Sequence, residues 1–213
     1  MPVLTPESPE VRYLSERDWR LGRLMAAVGE LDYEVGGPAY AHLAHSVIEQ
    51  MLSMKAGRTI QSRLEAACGG SVTQEAVLAL PMEEIRACGI AARKAQAIVD
   101  LARAMPQERL DALAALPDDE VRAELTSIKG IGKWTADMYL IFHLDRPDVL
   151  PVEDGAIRQV FQWLYGAPIT DANVRQVVCS LWHPHCSVAV RYMYRALNRG
   201  IVAQGSAAEV LGI

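Results

Sequence analysis

Leu125-Thr126-Ser127-Ile128-Lys129-Gly130-Ile131-Gly132-Lys133-Trp134-Thr135-Ala136-Asp137-Met138-Tyr139, followed by Leu150-Pro151-Val152-Glu153-Asp154, is the stretch that decides the fold. Two glycines around an isoleucine let the chain turn tightly and let another backbone come close, while Ile131 fills the gap between the flanking helices. The run 133–144 reads as a helix. Its first turn leaves N–H groups without helical partners and puts the positive end of a macrodipole at the hairpin. Such an end suits a phosphate without any side-chain charge.

Outward from the hairpin, helical periodicity recurs in runs separated by two- to ten-residue connections. The spacing of Trp19, Leu21, Leu24, Met25 and Val28 predicts a helix over 18–28. Gly36, Gly37 and Pro38 break the chain before a longer helix at 40–54, apolar over a wide arc through Leu43, Val47, Met51, Ile48 and Leu52. Further helices are expected at 53–68, 74–80, 82–88, 93–105, 110–116, 118–128, 154–164, 173–181 and 187–204. Pro117 opens one of them, with acidic residues in its first turn. The Pro-rich residues 1–15 read as a tail or a strap over the surface. No strand-length alternation interrupts the helices, so the fold class is all-α.

The 213 residues are enough for a full core. Their start lacks the basic and apolar regions of an export signal, and no run of about 18 apolar residues appears, so a cytoplasmic, non-membrane protein is expected. Cys68, Cys88, Cys179 and Cys186 form no Cys-x-x-Cys pair and read as reduced thiols. A net charge of −5 argues mildly against a bulk polyanion binder. Bases nonetheless gather at Lys55 and Arg58, at Arg93 and Lys94, at Lys129 and Lys133, and at Arg191, Arg195 and Arg199. If these groups share a face the molecule is polarised; otherwise they are ordinary solvated helix faces.

Two histidine arrangements invite a metal reading. His42 and His45 stand three apart, and Cys179, His183, His185 and Cys186 fall close in sequence. Neither has the ligand spacing of an established zinc motif, and ordinary core, surface or loop roles are the simpler reading.

The hairpin residues Leu125, Ile128, Gly130, Ile131, Gly132, Trp134, Thr135 and Ala136, with Leu150-Pro151-Val152-Glu153-Asp154 beyond them, resemble the signature of the helix-hairpin-helix DNA glycosylases. The closest branch is that of the alkylation-repair 3-methyladenine DNA glycosylase II enzymes. The resemblance also takes in Gln50-Met51-Leu52-Ser53, Ile85 to Ile90 with Arg93-Lys94-Ala95, and Trp182-x-Pro184. It covers roughly residues 15–200, without the extra N-terminal β-domain of some relatives.

The resemblance implies one glycosylase unit of two α-helical lobes with a DNA and base cleft between them. A central lobe would span roughly 36–150, with the hairpin at 125–144, and a second lobe would combine 1–35 with 151–213. The implied reaction flips an alkylated base, of the 3-methyladenine or 7-methylguanine type, out of double-stranded DNA and hydrolyses its N-glycosidic bond. It leaves an abasic site for base excision repair.

In that scheme Asp154, four residues before Arg158, is the catalytic carboxylate, opposing positive charge on the sugar and orienting or deprotonating water. Capping the next helix is its structural reading, compatible with the first. Glu153 would support it or face solvent. Gln50 and Met51 match the DNA wedge, although a methionine there also reads as core. Trp134, Tyr194 and Met138 fall on the base pocket, Met138 replacing an aromatic of a close relative; alternatively the two aromatics are core.

Lys129, Gly130, Gly132, Lys133 and Thr135 would meet the DNA backbone. Bifunctional relatives carry a lysine where Trp134 stands, so a monofunctional enzyme without lyase activity is expected. The backbone carbonyls of Thr126, Ile128 and Ile131 match a hairpin site for a structural monovalent cation, sodium or potassium. No cofactor is needed for the chemistry, and no iron–sulfur cluster motif is present. No obligate protein partner is implied, and a monomer is expected. The competing reading is a noncatalytic DNA-damage-binding protein, which would have no need of Trp134 together with Asp154.

Overall fold

Amphipathic runs joined by short connections fold as helices in the computed structural model, which describes residues 1–52 and 54–213. In chain order these are α1 (Pro9–Arg17), α2 (Trp19–Val28), α3 (Ala39–Glu49), α4 (Met54–Ala67), α5 (Gln74–Ala79), α6 (Met82–Ala87) and α7 (Ala92–Ala104). There follow α8 (Gln107–Ala112), α9 (Asp118–Thr126), α10 (Lys133–Phe142), α11 (Gly155–Tyr165), α12 (Asp171–Val174), α13 (Cys186–Asn198) and α14 (Ala207–Leu211). A two-residue antiparallel pairing, Val3 with Asp32 and Leu4 with Leu31, is the sheet among the described residues. The fold is all-α. No helix among the described residues is long and apolar enough to cross a membrane.

The chain divides into two compact units, residues 36–145 and residues 1–35 with 146–213. In the first, α3 is central, burying Tyr40, Leu43, Ala44, Val47 and Ile48 against α4, α7 and α10. Each such aliphatic side chain contributes about 2 kcal/mol of burial. The Tyr40 hydroxyl satisfies itself on the Ile98 carbonyl at 2.9 Å, joining α3 to α7. Between α3 and α10, His42, Tyr139 and His143 form a ring cluster in which the Tyr139 and His143 planes stack at 4.5 Å.

In the second unit, α2, α11 and α13 bury Leu21, Leu24, Phe161, Ala189, Val190 and Met193. A buried carboxylate organises it. Asp18 caps α2 by accepting from the Leu21 amide at 3.1 Å, and its other oxygen accepts from Tyr165 at 2.6 Å and Trp182 at 2.8 Å.

Three expectations change. Residues 9–17 are a helix and not a tail: Pro9 sits in the first turn with Glu10, and Val11 and Leu14 are buried. The helix expected over 40–54 stops at Glu49, because the backbone turns at Gln50 and Met51. Ser53, which starts the next expected helix and ends the expected wedge, lies outside the described residues. Residues 175–182 widen into a π-type turn, with the His183 amide reaching back five residues to Val178.

Candidate nucleic-acid interface and active site

The hairpin is built by packing from both sides. Leu125, Ile128 and Ile131 are buried, and the Ile131 amide donates to the Ile128 carbonyl at 3.0 Å, closing the turn. Gly130 has φ +97°, and a Cβ there would stand 2.5 Å from the Ala97 methyl group, so both backbone and space demand glycine. Gly132 is different. Its φ is −99°, it caps α10, and a Cβ there would meet nothing within 4 Å. Nothing inside the unit requires that residue to be glycine. The first ladder bond of α10 runs from Ala136 to Gly132, which puts the positive helix end at residues 132–135. Lys129 is exposed beside it.

Along α10, Trp134 is half-buried, and Met138, one turn on, is buried. Thr135 is fully buried, and its hydroxyl accepts from Gln50 Nε2 at 3.0 Å. Asp137 is 1% exposed with a cation on each oxygen: Arg122 Nε at 2.7 Å and Lys133 Nζ at 2.5 Å. Lys133, expected to point toward phosphate, is thus turned along its own helix. Arg122 carries the same ion pair across to α9 and so clasps the two hairpin helices together, while within α9 it also reaches Asp119 at 2.8 Å.

The expected wedge is a tight turn. Gln50 has φ −45° and ψ 122°, Met51 has φ 58°, and the Leu52 amide donates to the Glu49 carbonyl at 2.9 Å. These are features of a type II turn, whose third position favours glycine. A methionine there costs about 1–3 kcal/mol. Its side chain is fully exposed, so the core reading of Met51 does not hold.

In the other unit, Asp154 is 7% exposed and is the N-cap of α11, with Oδ1 accepting from the Ile157 amide at 2.8 Å. Its own amide donates to Pro151 at 2.9 Å, so Pro151 and the helix fix the carboxyl from both sides. Glu153 is exposed. Arg158 Nε donates to the Val152 carbonyl at 2.8 Å, and Tyr194 on α13 is half-buried.

The basic group on α13 is structural. Arg191 lies over the Tyr33 ring at 4.0 Å, Arg195 pairs with Asp32 at 3.0 Å, and Arg199 donates to the Val28 carbonyl. Lys55, Arg58, Arg93 and Lys129 remain exposed on the unit that carries the hairpin. No cluster of three metal-ligating side chains occurs among the described residues, and His183 pairs with Asp148 at 2.5 Å. Sequence reasoning missed the Asp18 network and the Asp137 clasp, although Asp18 before Trp19 carried a cap signal.

A family model for the HhH-GPD superfamily base excision DNA repair protein matches residues 44–184, which include the Met51 turn, the hairpin and Asp154. The chain belongs to this superfamily. This HhH-GPD chain is 35% identical over 134 residues to the DNA-3-methyladenine glycosylase 1 of Schizosaccharomyces pombe, covering 61% of the chain and 59% of that relative. It thus spans less than two thirds of that relative's length. Its structure resembles a DNA-3-methyladenine glycosidase from Bacillus halodurans with a TM-score of 0.79, at 30% identity and with 100% of each chain covered. It also resembles a 3-methyladenine DNA glycosylase of Schizosaccharomyces pombe in complex with abasic DNA, with a TM-score of 0.78 at 28% identity, covering 90% of this chain and 97% of that one.

Proposed function

We propose that the protein is a monofunctional DNA glycosylase that releases alkylated bases of the 3-methyladenine and 7-methylguanine type from double-stranded DNA by hydrolysis. The similarity to proteins bearing that activity in their names supports it, and one structural observation carries it: a buried carboxylate, Asp154, fixed by a helix amide beside an exposed Glu153.

A base in the stack must first be extruded. Gly130, Gly132 and the first turn of α10 would take a backbone phosphate on amides, with Lys129 beside them, while Met51 would enter the gap in the stack. Trp134 would lie against the extruded base with Met138 behind it on α10, and Tyr194 would supply a second aromatic surface. An alkylated purine is cationic, which favours an aromatic face.

As the C1′–N bond breaks, the base leaves with the bonding electrons and becomes neutral, and positive charge develops on the deoxyribose. A carboxylate shielded from water opposes that charge far more strongly than an exposed one. Water then bonds to C1′, and its proton passes to Asp154 or to solvent. With one oxygen tied to the Ile157 amide, the Asp154 carboxylate needs little reorganisation.

Trp134 offers no amine for a Schiff base, and the neighbouring Lys133 ammonium is engaged by Asp137. The carbonyls of Thr126, Ile128 and Ile131 would hold a structural sodium or potassium ion. Thr126 ends α9, where a helix leaves carbonyls without helical partners, and the Ile128 oxygen keeps a lone pair beyond its bond from Ile131. Such an ion would supply charge to the hairpin and take no part in bond cleavage. No iron–sulfur cluster or obligate protein partner is needed.

Asp154→Asn tests the reading, because an amide oxygen still accepts from Ile157 while the charge is lost. Release of methylated bases should fall by at least about 100-fold. A normal rate would overturn the proposal, and a stable adduct on borohydride treatment would overturn its monofunctional part.

A further inference from the structure

The turn that presents Met51 is held at three points. The Glu49 carboxylate accepts from Gln61 Nε2 of α4 at 2.9 Å. The Lys94 ammonium of α7 donates to the carbonyls of Ile48 at 2.9 Å and Gln50 at 2.6 Å. These lie at the C-terminal end of α3, where carbonyls lack helical partners and the macrodipole favours a cation. The Gln50 side-chain amide reaches the hairpin, donating to the Gly130 carbonyl at 3.2 Å and to Thr135 Oγ1 at 3.0 Å.

All of these bonds converge on a turn with little packing of its own. Met51 is left-handed and fully exposed, and Leu52 is exposed beside it. A methionine in that conformation persists only where its surroundings over-determine it. Here the over-determination comes from α7 and the hairpin, 44 and 80 residues away from Gln50 in sequence.

We propose that Lys94 is a positioning residue for base extrusion. Its ammonium caps α3 and fixes the turn, so that Met51 stands preset as a probe of the stack. Gln50 ties the same turn to the hairpin, so a hairpin seated on a phosphate presents the probe at a fixed offset along the duplex. The inference rests on the reading that Met51 enters DNA. Lys94 touches no reacting atom.

The test compares single-turnover base release from an alkylated base in duplex DNA with release from the same base in single-stranded DNA. Lys94→Met should slow release from the duplex by about tenfold or more, since a displaced probe no longer favours the extruded state. Release from the single strand, which needs no probe, should stay within about twofold. Lys94→Arg, which keeps a cationic donor, should recover most of the duplex rate. Gln50→Leu leaves the Lys94 ammonium on its two carbonyls and should reproduce the selective loss, so it decides the matter if Lys94→Met does not fold.

Equal losses on both substrates, accompanied by a lowered melting temperature, would overturn positioning and leave Lys94 a stabilising role alone. An unmutated protein that releases no base from either substrate would instead overturn the glycosylase reading on which the inference rests.

Discussion

Lys133 Nζ lies 2.5 Å from Oδ2 of Asp137, one turn further along α10, and the carboxylate it meets is almost wholly buried. Lysine N-terminal to aspartate is the less favourable order for a helical pair, so the contact is best understood through Arg122, which holds the other oxygen and ties α10 to α9. Removing Lys133 for a phosphate would leave a buried anion with one cation fewer. DNA affinity measured against salt should tell the two uses apart. Each phosphate neutralised adds about 0.9 to the slope of log affinity on log salt, so Lys129→Met should lower that slope by about 0.9. Lys133→Met should weaken binding and lower stability by about 1 kcal/mol while changing the slope by less than half as much. Equal slope changes would place Lys133 on the phosphate instead.

The two hairpin glycines should fail differently. Gly130→Ala forces a methyl group onto Ala97 at a positive φ and should lower stability by about 3 kcal/mol. Gly132→Ala meets open space at an ordinary φ, so its melting temperature should stay near that of the unmutated protein. What it should lose is DNA affinity, by about tenfold, because the new methyl group stands where a phosphate has to approach the amides. A Gly132→Ala protein that binds DNA normally would show that the glycine serves no outside contact.

The contrast shows which parts of the site were legible. Gly130-Ile131-Gly132 and Pro151-x-x-Asp154 are local signals, and local backbone chemistry places them: a positive φ in one case, an N-cap in the other. The end of α3 was not legible, because Met51 and Leu52 continue its apolar spacing and no glycine or proline interrupts it. The turn is bonded instead to Lys94 and the hairpin, which lie far off in sequence. The same holds for Asp18, whose partners Tyr165 and Trp182 are 147 and 164 residues away. Arg191, Arg195 and Arg199 misled for the opposite reason. Their spacing looks like a basic face, yet each is engaged by Tyr33, Asp32 or the Val28 carbonyl.

Acid should destabilise the protein through His42. Burial first, and then the neighbouring His143, lower its pKa from 6.5 to about 4. The unfolded chain binds a proton at this residue near pH 6.5 and the folded chain only near pH 4, so the neutral ring's contribution is complete above pH 6.5 and lost as pH falls toward 4. The loss should be on the order of 2 kcal/mol, allowing for partial access of water to the ring. Urea midpoints at pH 7 and pH 4.5 measure it. The His42 ring meets the Met138 backbone, and His42→Asn, which keeps a side-chain donor there, should flatten the difference. An unchanged difference would assign the acid sensitivity to other groups.

Met51→Gly should separate stability from activity. Replacing a side chain by glycine ordinarily weakens a fold by about 0.5–1 kcal/mol through backbone entropy. At φ 58° the methionine already carries about 1–3 kcal/mol of strain, and its exposed side chain gives no packing to lose. The variant should therefore unfold at a urea concentration no lower than the unmutated protein. Base release from duplex DNA should nevertheless fall while release from a single strand persists, because the backbone has been relaxed and the probe removed. A variant both less stable and equally slow on the two substrates would mean that the methionine is held left-handed for the sake of the fold. The strain at Met51 would then have no connection with DNA.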